Sequence, residues 1–169
     1  VSLLRERAFL ARPEDERLVA LEEGYSPTVY RCTGGWWTCG VGHVVTWERD
    51  ATEAQAIEAA RELAPYPWSV QDAMLMFGVL AARKRAEIAE RLSWSADESD
   101  PRRAVLLSMA YQMGMTGLLG FKNTLRAWER GDYVDAARRM RASRWAQQTP
   151  SRARRHAEQV RSDRWLFNV

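Results

Sequence analysis

The sequence predicts a mostly helical α+β protein, with a small β-hairpin lobe and a helical lobe joined by a long helix. Three observations predict it. Val, Thr, Tyr and Trp cluster with glycines in one stretch only, residues 28–45. A helical pattern with its own cap signal runs from Val70 to about Leu92. Beyond Asp100 the pattern is helical throughout, punctuated by glycine and proline. At 169 residues the chain has the length of one domain, or of two small lobes sharing a helix. It can bury about two-thirds of its unfolded surface without disulfides or a metal.

Each element has a local reason. Leu3–Leu10 is a short amphipathic helix candidate closed by Pro13. Glu14–Glu23 is the next, with Leu18, Val19 and Leu21 on its apolar side and Gly24 able to end it. Val29–Cys32, Gly34-Gly35 and Trp36–Cys39 read as strand, turn and strand. Thr52 with Gln55 offers a capping box for a helix to about Leu63, which Pro65 and Pro67 interrupt. Ser69 with Asp72 starts the long helix, and polar residues 93–100 read as a loop. Asp100-Pro101 is a cap and first helical position for a helix to about Met113. Gly114, Gly117 and Gly120 mark turns; helices over Phe121–Glu129 and Tyr133–Arg141 follow, and Thr149-Pro150 caps a last one to about Arg161. Within one domain spanning 1–169, this gives a hairpin lobe over about 24–68 and a connecting helix over about 69–92. The helical lobe covers about 93–169 together with the N-terminal helix.

Composition excludes several classes. With 46% hydrophobic residues, the chain is not intrinsically disordered. No apolar run reaches the roughly 18 residues a bilayer span needs; the stretch from Ala73 to Ala82 meets Arg83-Lys84-Arg85. No secretory-signal pattern is recognisable. Two cysteines, Cys32 and Cys39, are too few for a disulfide scaffold, and His43 and His156 give no zinc-ligand spacing. The net charge of +3 is uneven: residues 121–169 carry 12 Lys+Arg against 5 Asp+Glu. A basic half fits a polyanionic partner (nucleic acid, anionic lipid or cell-wall polymer) or simply solvated Arg-rich helix faces.

Glu23, at a helix end, is followed nine residues later by Cys32 and six after that by Thr38. A carboxyl group kept protonated can give its proton to a leaving oxygen while a second group orients water, the logic of glycoside hydrolysis. The plain alternative is a solvated glutamate, a buried cysteine and an ordinary strand threonine.

Around these residues the sequence resembles a known family. Glu23-Gly24, Tyr30–Thr33 and Gly35–His43 are similar to the active-site signature of the bacteriophage lysozymes, glycoside hydrolase family 24. That signature is Glu, eight residues, Asp or Cys, five residues, Thr. Ala110–Gly114, Thr116-Gly117, Gly120-Phe121, Asn123, Leu125-Arg126, Ser143–Trp145, Gln148–Pro150 and Arg152-Ala153 resemble its T-even phage type. The likeness covers about two-thirds of the chain.

The resemblance implies a two-lobed lysozyme-like fold. It also implies an endo-acting muramidase that cuts peptidoglycan between N-acetylmuramic acid and N-acetylglucosamine and lyses bacteria, without cofactor or metal. Glu23 becomes the general acid, Cys32 stands where most of the family has Asp, and Thr38 holds water or shapes the site; the family works by inversion. Val44, Tyr111, Gln112, Thr124 and Arg139 fall at substrate-binding positions, Arg139 replacing an expected amide and suited to a stem-peptide carboxylate. His43 supports the site from behind, and Arg152 is expected near Glu23. A thiol is largely uncharged at neutral pH; nearby arginines are one way its pKa could be lowered, and the thiolate could then act as base or nucleophile. Trp128, Trp145 and Trp165 are read as core. A disulfide between Cys32 and Cys39 would block the site. Expected partners are peptidoglycan glycan strands, with no nucleic acid, no stable membrane insertion and a monomeric state. The expected location is the host cytoplasm before release to the periplasm and cell wall. Lytic transglycosylation on the same fold, a catalytically silent wall-binding module and nucleic-acid binding are the alternatives. Residues 47–68 do not align with the family, and 1–12 read as an extra N-terminal piece.

Overall fold

The computed structural model describes Leu3 and residues 6–166. The chain divides into two compact units, Val1–Ala82 and Arg83–Val169.

In the first unit, α1 (Arg7–Leu10) buries Phe9. Residues 4 and 5 of the longer helix expected there lie outside the described residues. Helix α2 (Glu14–Glu23) has the expected bounds: three acidic residues fill its first turn, where the helix dipole favours them, and Gly24 ends it at φ 75°. Leu18, Val19 and Ala20 face the core. So does Glu16, whose carboxylate accepts from Arg12 Nε at 2.6 Å. That Arg12 guanidinium fills the space beside Gly78, where a Cβ would lie 1.9 Å from its Nη2.

The hairpin is in fact part of a three-stranded antiparallel sheet in the order β1-β2-β3: β1 (Ser26–Arg31), β2 (Trp37–Gly40) and β3 (His43–Thr46). Tyr30 pairs with Thr38, Thr38 with Val44, and Cys39 with His43. The third strand follows a tight link in which Gly40 and Gly42 both take positive φ. Gly40 is doubly constrained, since a Cβ there would sit 2.8 Å from Cε3 of Trp68.

Trp68 explains the segment that does not align. It is buried, its indole N–H donates to Ala60 O (3.0 Å), its backbone N–H donates to Pro27 O (2.9 Å), and its carbonyl accepts from Tyr25 Oη (2.6 Å). The Pro65–Trp68 corner, with a cis Tyr66–Pro67 bond, therefore pins α3 (Glu53–Leu63) to the sheet. The Thr52–Gln55 capping box is present. Helix α4 (Val70–Arg91) starts with reciprocal Ser69–Asp72 bonds and contains the unit boundary.

In the second unit a 3-10 turn (Ser93–Asp97) occupies the expected loop. Helix α5 (Asp100–Leu119) has Ser99 at its N-cap position, one residue earlier than expected, without a side-chain cap bond. It breaks at Gly114 (φ 72°, ψ 169°), so the expected end near Met113 is real, while Gly117 continues a second helical stretch rather than a turn. Then come α6 (Lys122–Glu129), α7 (Tyr133–Arg141), α8 (Arg144–Gln148) and α9 (Pro150–Ser162). Helix α8 is not foreseen by the sequence; Ser143 caps it by accepting from Ala146 N at 3.1 Å. Thr149 does not cap α9 through its side chain: its hydroxyl donates to Trp145 O at 3.1 Å. Leu106, Leu107, Met109, Leu118, Trp128 and Met140 form the core. Trp145 is buried as well, whereas Trp165, expected in the core, is only half-buried. No single helix among the described residues is long and apolar enough to cross a membrane.

Candidate active site

Helix α2 delivers Glu23 as its last residue, half-buried, and the positive φ of Gly24 turns the chain directly into β1. Cys32 follows β1 at the hairpin turn. Gly35 N–H donates to Cys32 O (2.8 Å) and Cys32 N–H donates to Trp36 O (3.0 Å), which fixes the turn. Burial alone would raise the Cys32 thiol pKa. Hydrogen bonds to the sulfur from the Thr38 side chain and from the Trp36, Gly34 and Gly35 backbone outweigh that, and the pKa is lowered. Arginines, the route considered from the sequence, are not among the causes. Arg31 next door spends its guanidinium on the carbonyls of Gly35, Arg49 and Ala51, at 2.7, 2.7 and 2.9 Å.

Thr38 is 2% exposed, opposite Tyr30 on one side and Val44 on the other. Its hydroxyl carries one proton and has two acceptors in reach: the carbonyl of Trp36 (3.2 Å) and the sulfur of Cys32. The Tyr30 phenol is held above its ordinary pKa, first by burial and then by the negative charges of Cys32 and Glu23. Tyr30 thus stands in the field of both acids.

Cys39 lies on the other side of the strand's function. It is fully buried, its S–H faces the carbonyls of Ser26 and Pro27 at 3.8 and 3.7 Å, and burial pushes its pKa up to about 11. Both thiols are free, so the Cys32–Cys39 disulfide is absent. His43, paired with Cys39, meets Trp68 edge-on with ring centroids 5.5 Å apart. Its Nδ1 is buried without a hydrogen-bond partner among the described residues, and burial lowers its pKa. Burial thus favours the neutral ring, which packs against Trp68. Val44 is half-buried.

The second unit holds the other candidates. Tyr111 and Gln112 lie on α5 just before the Gly114 break, both half-buried. Gln112 Oε1 accepts from Trp145 Nε1 at 2.8 Å, so half of its amide braces the core. Thr124 on α6 is buried, and Arg139 on α7 donates to Asp135 Oδ2 at 2.6 Å. Both line a cavity of about 690 Å³. The same wall carries Lys122, Arg126, Arg138 and Arg144 and no carboxylate. None of these four is among the binding residues expected from the sequence; the spacing of Lys122 and Arg126 on one face of α6 is the local signal for them. Arg152 is half-buried on α9. No group of metal ligands occurs among the described residues.

Residues 20–158 match the family described as phage lysozyme. The chain is 27% identical over 149 residues to probable T4-type lysozyme 1 of Dictyostelium discoideum, covering 82% of this chain and 88% of that protein. It is 26% identical to probable T4-type lysozyme 2 of the same organism, with the same coverage. It is also 31% identical over 145 residues to the pre-baseplate central spike protein Gp5 of Enterobacteria phage T4; this covers 79% of the chain but only 25% of the spike protein.

Proposed function

The chain belongs to the phage lysozyme family, and from that premise we propose that it hydrolyses the bond between N-acetylmuramic acid and N-acetylglucosamine in peptidoglycan. The observation that carries this reading is the hydrogen-bonded hairpin turn that fixes Cys32 between Glu23 and Thr38 at the spacing of the family signature.

In this mechanism Glu23, protonated, donates its proton to the glycosidic oxygen as the C1–O bond breaks. A water attacks C1 from the opposite face and passes its proton to the Cys32 thiolate, leaving an inverted hemiacetal. The thiolate also offsets the positive charge developing at the sugar. Thr38 serves both charge states: its hydroxyl donates to the sulfur while that is ionised and to Trp36 O once the sulfur carries a proton. Val44, Tyr111, Gln112 and Thr124 contact the glycan in this reading, and His43 and Arg152 support the site. Arg139 and its cationic neighbours take the carboxylates of the stem peptide, and the basic second half draws the protein to the anionic wall. The protein reaches that wall from the host cytoplasm on release, and acts as a monomer on glycan strands rather than on nucleic acid.

The test is the mass of the products released from purified Gram-negative peptidoglycan, with Glu23→Gln as control. Muropeptides with reducing muramic ends support hydrolysis. Anhydro ends, lighter by one water, would make the protein a lytic transglycosylase. No release by the reduced wild-type protein would leave a wall-binding module.

A further inference from the structure

Beside the hairpin turn lies an aromatic cluster that the proposed mechanism does not use. Trp47 is 71% exposed, more than any other large apolar side chain among the described residues. Its ring meets Trp36 edge-on at 5.4 Å between centroids, and the Arg49 guanidinium covers Trp36 at 4.2 Å. Trp47 and Trp36 thus form a contiguous aromatic patch beside the turn, the kind of surface that marks ligand sites.

The cluster is rigid. Arg31 ties the carbonyls of Arg49 and Ala51 to that of Gly35, and the Trp37 indole N–H also donates to Ala51 O at 2.7 Å. Arg49 Nη1 donates to Gly34 O at 3.3 Å. Residues 49 and 51 are therefore fastened to the turn before any ligand arrives, which lowers the ordering cost of binding beside them. The cluster is also continuous with the candidate site: the Trp36 indole edge and the Cys32 sulfur flank the same point above Gly34, at 3.2 and 3.6 Å from it.

We propose that Trp47, backed by Trp36 and Arg49, is a further sugar subsite that takes the pyranose face of one N-acetylhexosamine in the strand running past Cys32. This rests on the glycan reading above. An indole offers a flat apolar face to the axial C–H groups of a pyranose, and the neighbouring guanidinium donates to hydroxyl or carboxylate oxygens. A lipid surface fits less well, because Glu48 and Asp50, close to Trp47 in sequence, are exposed and their charge disfavours anionic headgroups.

The experiment compares wild type, Trp47→Ala and Trp47→Phe on soluble peptidoglycan glycans from disaccharide to octasaccharide. Binding is followed in parallel by tryptophan fluorescence in a Glu23→Gln background. Trp47→Ala should raise KM for the long glycans about fivefold, with kcat and the disaccharide unaffected, and Trp47→Phe should recover most of the loss. Equal KM at every length would overturn the subsite. So would a Trp47 effect confined to vesicles of phosphatidylcholine and phosphatidylglycerol. Trp47-dependent glycan binding without turnover would keep the subsite and remove the hydrolase reading; turnover indifferent to Trp47 would do the reverse. Neither turnover nor binding would remove both.

Discussion

Two cysteines on one hairpin, seven positions apart, meet opposite electrostatics. At the turn, Cys32 takes hydrogen bonds from Thr38 and from backbone groups of Trp36, Gly34 and Gly35, and its pKa falls. In the strand, Cys39 faces two carbonyls, is fully buried, and its pKa rises to about 11. The difference comes from what reaches each sulfur. At the turn the Thr38 side chain and the Trp36, Gly34 and Gly35 backbone all reach the sulfur and outweigh burial, whereas the fully buried Cys39 has only the Gly40 backbone against its desolvation. The lowering at the turn comes from Thr38 and backbone groups rather than from an arginine.

The largest test of that contrast is activity. Cys32→Ala should lower turnover of peptidoglycan about 100-fold or more, the usual scale for losing an acid–base group. Cys32→Asp should keep most of it, and Cys39→Ser should leave kcat near wild type. Equal losses at both positions would show that the hairpin, not the thiolate, matters. Labelling with iodoacetamide at pH 8 separates the two directly: Cys32, with its pKa lowered, should react far faster than Cys39, whose pKa is pushed up to about 11. Peptide mass mapping reads the ratio, and confirmed Cys32 adducts should be inactive.

The same contrast extends to the glycines beside each thiol. Gly40→Ala places a Cβ 2.8 Å from the buried Trp68 ring at φ 63°, and should cost about 3 kcal/mol in urea unfolding. Gly35→Ala has a similar φ of 79°, but its nearest neighbour is the end of Arg49 at 3.5 Å, so about 1 kcal/mol is expected. A Gly40→Ala protein as stable as Gly35→Ala would mean that the strand end of the hairpin is no more tightly packed than its turn.

What the sequence showed and what it hid follow the same division. Helices with chemical end signals were legible to the residue: Glu14–Glu23 by its acidic first turn and Gly24, α3 by the Thr52–Gln55 box, α4 by Ser69 and Asp72. Elements defined by partners distant in sequence were not. Strand β3 exists because His43–Thr46 finds β2, and its signal was the Gly40-Val41-Gly42 link followed by β-branched residues. Helix α8 is one turn long, too short for a period to show. The candidate catalytic residues came from the resemblance to the phage lysozyme signature, since their spacing alone left the plain alternative open. The donors that set the Cys32 charge, and Trp68 that holds the sheet, became visible only once the chain was folded, because neither depends on local pattern.

The smallest effect bears most directly on cause. If Thr38 helps to hold the Cys32 anion, Thr38→Val removes that hydrogen bond while the turn amides remain, and burial regains weight. The midpoint of Cys32 alkylation against pH should then move upward, while Cys39 stays unreactive in the same range. The two thiols also act on stability with opposite sign. Cys32, lowered in the folded state, contributes stability above the ordinary thiol pKa, and this is lost as pH falls through the lowered value. Cys39, raised, contributes stability below the ordinary value, and this is lost as pH rises toward about 11. Unfolding followed from pH 8 to 11 should therefore decline less steeply in Cys39→Ala and more steeply in Thr38→Val than in wild type. An unchanged alkylation midpoint in Thr38→Val would assign the anion to the turn amides alone and leave Thr38 with the water.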